Sequence, residues 1–405
     1  MYNKSEVLDY VSAEDIKFIK LAFCDVFGVQ KNISILAEEL ERAIDYGISF
    51  DASAISGFGD EANSDLFLFP DLSTIEVLPW RPSQGKVVRM MCDIKNPDGT
   101  PFELDTRNIL KNAVSYAKKK GIELSFGAEF EFYLFKTDDE GKGTKIPFDN
   151  AGYFDIAPID RGENVRREIC LTLEDMDIYP ESSHHEEGPG QNEIDFKYSD
   201  PLSSADNAIT FKSVTKTIAA KNGLYASFAP KPLGNEAGNG MHINISVSDK
   251  SKTDSFIAGV LDNIRGITAF LNPTMESYSR LGSKKAPNYI TWAEGNRSQL
   301  IRIPSEKGER SRFELRSPDP TANPYLAFAL LIYAGVEGVT ENKKLCPPCN
   351  INLYAAEESD VKGFDVLPKT FLEAINCAYS SNLVKKYMPK DICAIFEKGP
   401  ISKSE

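Results

Sequence analysis

Two glutamates on either side of a tight turn form the pattern in this chain that is most suited to chemistry. The stretch from His184 to Phe196 contains two of the chain's three histidines, together with Glu186 and Glu193. A glycine–proline–glycine turn separates the glutamates, and the residues from Glu193 onward alternate polar and apolar, as in a half-buried strand. Both carboxylates can therefore point into one pocket. Buried carboxylates repel each other unless they are paired, protonated or cation-bound, so the pattern indicates either a divalent metal site or a solvated acidic loop.

A second pair of glutamates lies on a predicted strand from Gly127 to Phe135. Successive strand residues face opposite sides, so Glu129 and Glu131 share one face while phenylalanines occupy the other. Like charges at neighbouring positions of one face repel unless a cation lies between them. This strand fits a metal site and a water-facing acidic surface equally well.

The third histidine, His242, follows a glycine turn and begins another predicted strand. The alternation places His242, Asn244 and Ser246 on one face and apolar residues on the other. A single histidine on a strand usually has a structural role. The hydroxyl and amide groups beside this one are more typical of a ligand-binding face than of a core.

Arginines accompany a further glutamate near the end of this region. The alternation from Arg312 to Arg316 puts Arg312, Glu314 and Arg316 on one face. The segment 280–304 contributes three more arginines, which are Arg280, Arg297 and Arg302. Guanidinium groups match the oxygens of carboxylates and phosphates, so this basic set predicts an anionic substrate.

Taken together, these residues indicate a phosphoryl-transfer site. Oxygen-rich ligands with one imidazole suit Mg²⁺ or Mn²⁺, whereas zinc prefers cysteine and several histidines. Two such ions with arginines nearby are typical of sites that transfer phosphate from a nucleotide. The sequence contains neither a Walker glycine loop nor a kinase glycine loop, so neither of those nucleotide folds is expected.

Composition limits the class of protein. The chain has 405 residues and a formal net charge of −14, which argues against nucleic acid or an anionic membrane as the main partner. Its seven cysteines lack disulfide-rich spacing, and the lone CxxC of Cys346 and Cys349 has no second pair to form a zinc site. The first twenty residues do not resemble a signal peptide, and the apolar segment Tyr325–Val336 is too short to span a bilayer. We therefore expect a cytoplasmic protein.

The chain is long enough for two domains, and turn residues mark a boundary between them. Asn96-Pro97-Asp98-Gly99 is dense in turn formers, which predicts domains at 1–100 and 101–405. Predicted elements are strands at Lys17–Phe23 and Lys86–Cys92 and helices at Ala37–Tyr46, Thr106–Lys120, Glu163–Met176 and Ser204–Lys221. Asn323 and Pro324 are predicted to begin the apolar helix.

These motifs, in this order, resemble glutamine synthetase, specifically the bacterial type I family found in Gram-positive organisms. The resemblance covers nearly the whole chain and is carried by residues 50–58, 127–132, 152–158, 184–196, 238–242, 296–304 and 316–326. It implies an α+β fold with a small N-terminal β-grasp-like domain and a catalytic domain whose antiparallel sheet forms half of an open barrel. It also implies a dodecamer of two hexameric rings, in which the loop at Asp51 completes the neighbouring subunit's site. The shorter C-terminal tail of this chain implies a weaker contact between rings.

The resemblance also implies roles for individual residues. Glu131, Glu186 and Glu193 would hold one Mg²⁺ or Mn²⁺ ion at the γ-carboxyl of glutamate, and Glu129, His242 and Glu314 a second ion on the ATP phosphates. The other implied positions are Arg280, Arg316 and Gly238 for glutamate, Arg297 for the transferred phosphoryl, Arg302, Arg312, Ser246, Phe196 and Tyr198 for the nucleotide, and Asp51, Ser53 and Tyr153 for ammonium. Asp51 would deprotonate ammonium, and the reaction would give glutamine, ADP and phosphate by way of γ-glutamyl phosphate, for nitrogen assimilation.

Several positions depart from the family pattern. The flap at 280–287 is one residue shorter than usual and has Lys285 where the family has a glutamate that helps bind ammonium, and a cation there would repel the substrate. Ala237 replaces an asparagine before Gly238, for which Asn235 or Asn239 would have to compensate. Asp60 replaces an arginine linked to feedback inhibition, so that control is not expected. Tyr354 lies in an Asn-Leu-Tyr that resembles the adenylylation site of enteric relatives, but the chain is more similar to the branch that is not adenylylated. Two alternatives therefore stay open: a γ-glutamyl ligase that uses an amine, and a weakly active regulatory relative.

Overall fold

The N-terminal part of the chain forms a mixed sheet. The computed structural model describes residues 2–59, 62, 64–81, 84–305, 308 and 311–400, so Asp60 lies outside the described residues. The strands of this sheet are β1 (Ile16–Cys24), β2 (Gln30–Leu36), β3 (Ile48–Asp51), β4 (Asp65–Pro70), β5 (Glu76–Val77) and β6 (Lys86–Lys95). Their order is β2-β1-β6-β4-β3, with β5 beside β6, and β1 and β6 run parallel.

Two helices accompany this sheet, α1 (Lys4–Ala13) and α2 (Leu40–Tyr46). The first helix is capped by Asn3, whose side chain accepts a hydrogen bond from the Glu6 amide while the Glu6 carboxylate accepts one from the Asn3 amide. Short 3₁₀ turns at Ala37–Glu39 and Leu72–Thr74 complete this part. β6 ends at Lys95 and α3 begins at Thr106, so the division that we propose at residue 100 falls in the turn between them.

The rest of the chain is built on a larger sheet that runs in the order β13-β14-β15-β12-β7-β10-β9, with β8 and β11 also beside β7. Its strands are β7 (Leu124–Thr137), β8 (Gly143–Pro147), β9 (Pro180–His185), β10 (Gln191–Phe196), β11 (Leu224–Ser227), β12 (Met241–Val247), β13 (Trp292–Glu294), β14 (Ile301–Ile303) and β15 (Phe313–Leu315). Neighbouring strands are antiparallel except β13 and β14.

Helices pack on this sheet and follow it in sequence. They are α3 (Thr106–Lys119), α4 (Glu163–Glu174), α5 (Pro201–Lys221), α6 (Thr253–Leu271), α7 (Met275–Arg280), α8 (Pro324–Thr340), α9 (Phe371–Ser380), α10 (Asn382–Tyr387) and α11 (Ile392–Lys398). Among the described residues, no helix is long and apolar enough to cross a membrane.

The alternation along β7 separates the core from the polar face. Phe130 and Phe132 are fully buried and pack on Phe211 of α5. Glu129 and Glu131 lie on the opposite face. The sheet therefore presents its acidic residues on one side because its apolar residues are held by helices on the other.

The apolar helix α8 is a core element, as predicted. Asn323 caps it by accepting a hydrogen bond from the Tyr325 amide at 3.0 Å, and Pro324 occupies its first turn. α5 begins three residues earlier than predicted because Asp200 caps the amides of Leu202 and Ser203.

Candidate active site

Strand register brings the predicted metal ligands together. β10 lies beside β7 with Glu193 opposite Glu131, and β12 lies on the other side of β7 with His242 opposite Glu129. β15 then pairs with β12 and places Glu314 opposite Asn244. The polar faces of four neighbouring strands therefore contribute to one site.

Glu129, His242 and Glu314 form a compact ligand group. His242 Nδ1 lies 3.3 Å from Glu129 Oε2 and 3.4 Å from Glu314 Oε1. One ligand atom from each residue lies within 4.8 Å of the others. Two carboxylates and one imidazole suit Mg²⁺ or Mn²⁺, so this group fits the metal that was predicted to hold the ATP phosphates.

The second predicted group, Glu131, Glu186 and Glu193, lies beside the first. Glu131 Oε2 accepts the amide of Gly240 at 2.8 Å, and its Oε1 lies 4.0 Å from His242 Nε2. Burial and the charge of Glu131 raise the pKa of Glu186 to about 7. Burial and neighbouring carboxylates likewise raise the pKa of Glu193 well above its ordinary value. A divalent cation relieves such repulsion, so this group also fits a metal.

The turn between Glu186 and Glu193 depends on glycine and on a buried network. A Cβ atom at Gly188 would lie 2.0 Å from Tyr133 Oη, so the turn passes too close to β7 for any side chain. The Glu186 amide donates to the Gln191 carbonyl at 2.8 Å. The Gln191 side chain in turn donates to the Gly238 carbonyl at 3.1 Å, which joins the turn to the predicted glutamate-binding segment.

His185 and Asp149 hold the same turn by contacts with its backbone. His185 Nδ1 lies 2.7 Å from the Glu186 carbonyl oxygen, and its Nε2 lies 2.9 Å from Asp149 Oδ1. Asp149 Oδ1 also accepts the amide of Gly190 at 3.0 Å. With Asp160 these residues have the spacing of a metal site, but Arg166 already pairs with Asp160 at 2.6 Å. We therefore interpret this cluster as structural.

Two arginines neutralise Glu314. Arg302 Nη1 lies 2.8 Å from Glu314 Oε2, and Arg316 Nη1 bonds the other oxygen. Burial disfavours the charged carboxylate, but Arg316, His242 and Arg302 outweigh it and lower the pKa of Glu314 to about 2. The Nε atoms of Arg302 and Arg316 are buried without a partner among the described residues. Such donors beside a metal-ligand group fit an anionic substrate.

The predicted nucleotide contacts extend along β12. Arg312 Nε donates to Asn244 Oδ1 at 3.0 Å, and its guanidinium lies 5.7 Å from the centre of the Tyr198 ring. Ser246 Oγ donates to the Ser311 carbonyl at 3.0 Å. Phe196 differs, because its buried ring packs in the core 4.9 Å from that of Phe211. Only the backbone of Phe196 is left to contact a nucleotide.

Arg280 lies against the segment that contains Gly238. Its buried guanidinium donates to the carbonyl oxygens of Ser317 at 2.7 Å and Arg316 at 3.3 Å. A Cβ atom at Gly238 would lie 2.9 Å from Arg280 Cγ. Arg280 therefore braces the predicted glutamate-binding segment, and its hydrogen bonds in this chain go to the backbone.

Asn239 does not replace the asparagine that is missing at Ala237. Its side-chain oxygen accepts from Gln191 at 3.1 Å, and its amide nitrogen donates to the Ala229 carbonyl at 2.8 Å. Both ends of the Asn239 side chain are therefore used within the protein. Asn235 is exposed.

The residues predicted to bind ammonium are divided between the two sheets. Asp51 ends β3 in the N-terminal sheet, where its Oδ1 accepts from the amide and hydroxyl of Ser53 at 2.9 and 2.7 Å. Tyr153 instead lies beside the catalytic sheet, with its ring 5.6 Å from that of His184. Arg297 is exposed, and its carbonyl oxygen accepts from Tyr354 Oη at 3.2 Å.

Four residues near the site were not among the predicted site residues: His184, Glu187, Asp195 and Lys285. His184 Nε2 lies 3.5 Å from Glu193 Oε1, and Asp195, opposite Glu129, has its pKa raised to about 7 by burial and by Glu129. The alternation that predicted a strand from Glu193 onward also places Asp195 on the same face as Glu193. Lys285 Nζ lies 2.8 Å from Glu187 Oε1, a contact that no local pattern predicts.

Comparisons with known protein families match nearly the whole chain. The family model described as "Glutamine synthetase, catalytic domain" matches residues 103–399, and that described as "Glutamine synthetase, beta-Grasp domain" matches residues 15–97. A glutamine synthetase of Clostridium saccharobutylicum is 46% identical over 418 residues, covering 98% of this chain and 94% of the relative. One from Staphylococcus aureus strain MW2 is 42% identical over 411 residues, covering 96% and 92%.

Solved structures show the same architecture. A complex of GmaS with ADP is 29% identical with a TM-score of 0.87, covering 97% of this chain and 94% of the other. The glutamine synthetase of Plasmodium falciparum, solved by cryo-electron microscopy, is 24% identical with a TM-score of 0.85, covering 98% and 96%, and shares the fold. The predicted α+β fold with a β-grasp domain is therefore confirmed. The chain belongs to the glutamine synthetase family, the ATP-dependent glutamate–ammonia ligases, as its motifs predict.

Proposed function

We propose that the site described above forms glutamine from glutamate, ammonia and ATP through γ-glutamyl phosphate. The observation that carries this proposal is the compact group of Glu129, His242 and Glu314. Glu131 and Glu193 lie on neighbouring strands beside it, and Glu186, in the turn before β10, is close enough for Glu131 to raise its pKa. Because the curated relatives are named for glutamine formation, ammonia is the acceptor that we propose.

The two ligand groups would hold two divalent ions, Mg²⁺ or Mn²⁺. Glu131, Glu186 and Glu193 would hold one beside the γ-carboxyl of glutamate, and Glu129, His242 and Glu314 the other beside the ATP phosphates. Bound ions would neutralise phosphate and carboxylate charge and orient the two reacting groups. Asn244 supports the second group, since its amide donates to Glu129 Oε1 at 2.7 Å.

Arginines at the edge of this pair of groups would bind the charged parts of the substrates. Arg316 and Arg302 both donate to Glu314, and with an ion bound to that carboxylate their guanidinium groups would be available to the substrate anions. We assign Arg297 to the transferred phosphoryl group and Arg280 to support of the glutamate-binding segment. Charge-assisted bonds of this kind stabilise the charge that develops during phosphoryl transfer.

Attack by ammonia requires a base near Tyr153, and we propose that a second chain supplies it. Asp51 is exposed in the N-terminal sheet of its own chain, and hydrogen bonds from Ser53 hold its pKa below the ordinary value. An ionised carboxylate can accept a proton from ammonium. This proposal makes the working enzyme an oligomer, in the form of the double hexameric ring that the resemblance implies.

Phosphate release tests the proposed function. Purified protein with glutamate, ATP and Mg²⁺ should release phosphate much faster when ammonium is present than when it is absent, and glutamine should accumulate in equal amount. A matched variant, Glu193→Gln, should fail in both conditions. Equal rates of phosphate release with and without ammonium would contradict ammonia as the acceptor.

A further inference from the structure

The flap between Arg280 and Pro287 folds into a tight turn that directs one lysine inward. The Gly282 amide donates to the Ala286 carbonyl at 2.9 Å and closes the turn. Lys285 has a φ of 60°, a left-handed conformation that residues with side chains adopt rarely. The flap backbone therefore sets the position from which the Lys285 side chain extends.

The end of the Lys285 side chain lies in a group of residues suited to an ammonium group. Its Nζ is 2.8 Å from Glu187 Oε1, 3.9 Å from Glu186 Oε2 and 4.6 Å from the centre of the Tyr153 ring. Carboxylates and an aromatic face are the partners that hold ammonium groups in proteins. We call Glu186, Glu187 and Tyr153 the cation site.

The neighbouring lysine makes a useful contrast. Lys284 Nζ lies 3.0 Å from Glu187 Oε2, but its side chain is 67% exposed, compared with 42% for Lys285. Lys284 thus pairs with the other carboxylate oxygen of Glu187, while Lys285 alone of the two reaches the aromatic ring of Tyr153.

We propose that Lys285 is an internal competitor of the ammonium substrate. Its Nζ occupies the cation site, and an ammonium ion, with the same charge and N–H donors, binds there when the lysine withdraws. This proposal rests on the proposed function, because it assigns the cation site to the ammonia that attacks γ-glutamyl phosphate. The flap lysine therefore raises the ammonium concentration that the enzyme needs.

Steady-state kinetics of Lys285→Ala test this proposal, with Lys284→Ala as the matched control. The KM for ammonium should fall about two- to fivefold in Lys285→Ala, the range expected for loss of a half-exposed ion pair, and should stay unchanged in Lys284→Ala. The KM values for ATP and glutamate should not change in either variant. An unchanged or higher KM for ammonium in Lys285→Ala would overturn the proposal, as would an effect confined to metal affinity.

Thermal unfolding provides a readout that does not need turnover. A ligand that binds the folded state raises Tm, so ammonium chloride should raise Tm above sodium chloride of equal ionic strength more in Lys285→Ala than in the wild type. Adding Glu187→Gln to Lys285→Ala should remove this gain. Equal ammonium effects in wild type and Lys285→Ala would overturn the cation site even if the protein makes glutamine. A larger gain without ammonium-dependent phosphate release would instead locate the failure in the proposed function.

Discussion

Glu131 and Glu193 face each other across the hydrogen-bonded pair formed by β7 and β10. Glu193 is buried, and its pKa is raised by burial, by Asp195 and by Glu131. A sheet would not place two carboxylates directly opposite each other for stability, because like charges at such positions repel. The arrangement instead indicates a site built for cations.

Neutralising one of these carboxylates should make the metal-free protein more stable and weaken its binding of metal. Glu193→Gln removes charge repulsion, so we expect the metal-free protein to gain on the order of 1 kcal/mol in free energy of unfolding. The same change should remove most of the stabilisation that Mn²⁺ gives to the wild type. Denaturant unfolding with EDTA and with Mn²⁺ measures both effects. A variant that is less stable in EDTA, or that still gains fully from Mn²⁺, would contradict this assignment.

The raised pKa of Glu186 predicts a pH dependence of stability. Its ordinary value is 4.5 and its folded value is about 7, because burial and Glu131 disfavour the charged form. Between these values the folded state holds a proton that the unfolded state has lost. Metal-free protein should therefore lose stability as pH rises from about 4.5 to about 7, by at most about 1.4 kcal/mol per pH unit from this group. Denaturant unfolding measured across this pH range should show a weaker dependence of the free energy of unfolding on pH for Glu186→Gln than for the wild type. An equally steep dependence in that variant would rule out Glu186 as the source.

Replacing one partner of the Arg316–Glu314 pair should lower the free energy of unfolding more than replacing both. Both residues are buried, so Arg316→Met leaves Glu314 with Arg302 as its one remaining arginine partner and should destabilise the protein by up to about 3 kcal/mol. Adding Glu314→Gln should recover part of that loss. A double-mutant cycle in urea measures the coupling. Additive losses would show that the two side chains do not interact energetically.

Asp149 should control metal affinity although it holds no metal in our assignment. It joins His185 to the Gly190 amide and so fixes the turn that presents Glu186. Asp149→Asn should weaken Mn²⁺ binding about 10- to 100-fold, as expected when support for ligands is lost. The exposed Asp155, which bonds only locally to the Gly152 amide among the described residues, gives the matched control Asp155→Asn. Equal affinities in the two variants would remove Asp149 from the positioning network.

Mixing variants should reveal a site shared between chains. Asp51→Asn and Glu193→Gln are each expected to be inactive, since one lacks the proposed base and the other a metal ligand. If Asp51 serves a neighbouring subunit, then unfolding and refolding the two variants together should restore part of the activity, because some sites combine intact halves. Light scattering confirms that assembly has occurred. Mixed oligomers without activity would contradict sharing.

Much of the site could be predicted because its residues follow the two-residue period of strands. Glu129 and Glu131 on β7 and His242 on β12 were assigned to polar faces from alternation alone, and the structure puts them there. The two-residue period determines which face of a strand a side chain occupies, but it does not determine which strand is the neighbour. Register between β7 and β10, which sets Glu193 against Glu131, depends on packing across the whole sheet.

Other features could not be read from local patterns. The direction of Lys285 depends on a left-handed residue in a turn whose family counterpart is longer. The strand Pro180–His185 was not predicted because its serines and histidines carry no apolar alternation. If Asp51 serves a neighbouring subunit, as we propose, its partners there depend on assembly and cannot be predicted from one chain.

Counting bound Mn²⁺ tests the central claim most directly. Electron paramagnetic resonance of free Mn²⁺, titrated with the protein in the presence of ADP, reports the number of ions held by each chain. We predict two ions per chain in the wild type and one in each of the variants Glu193→Gln and His242→Ala. A wild type that binds fewer than two ions, or variants that keep both, would contradict a pair of metals held by these six side chains.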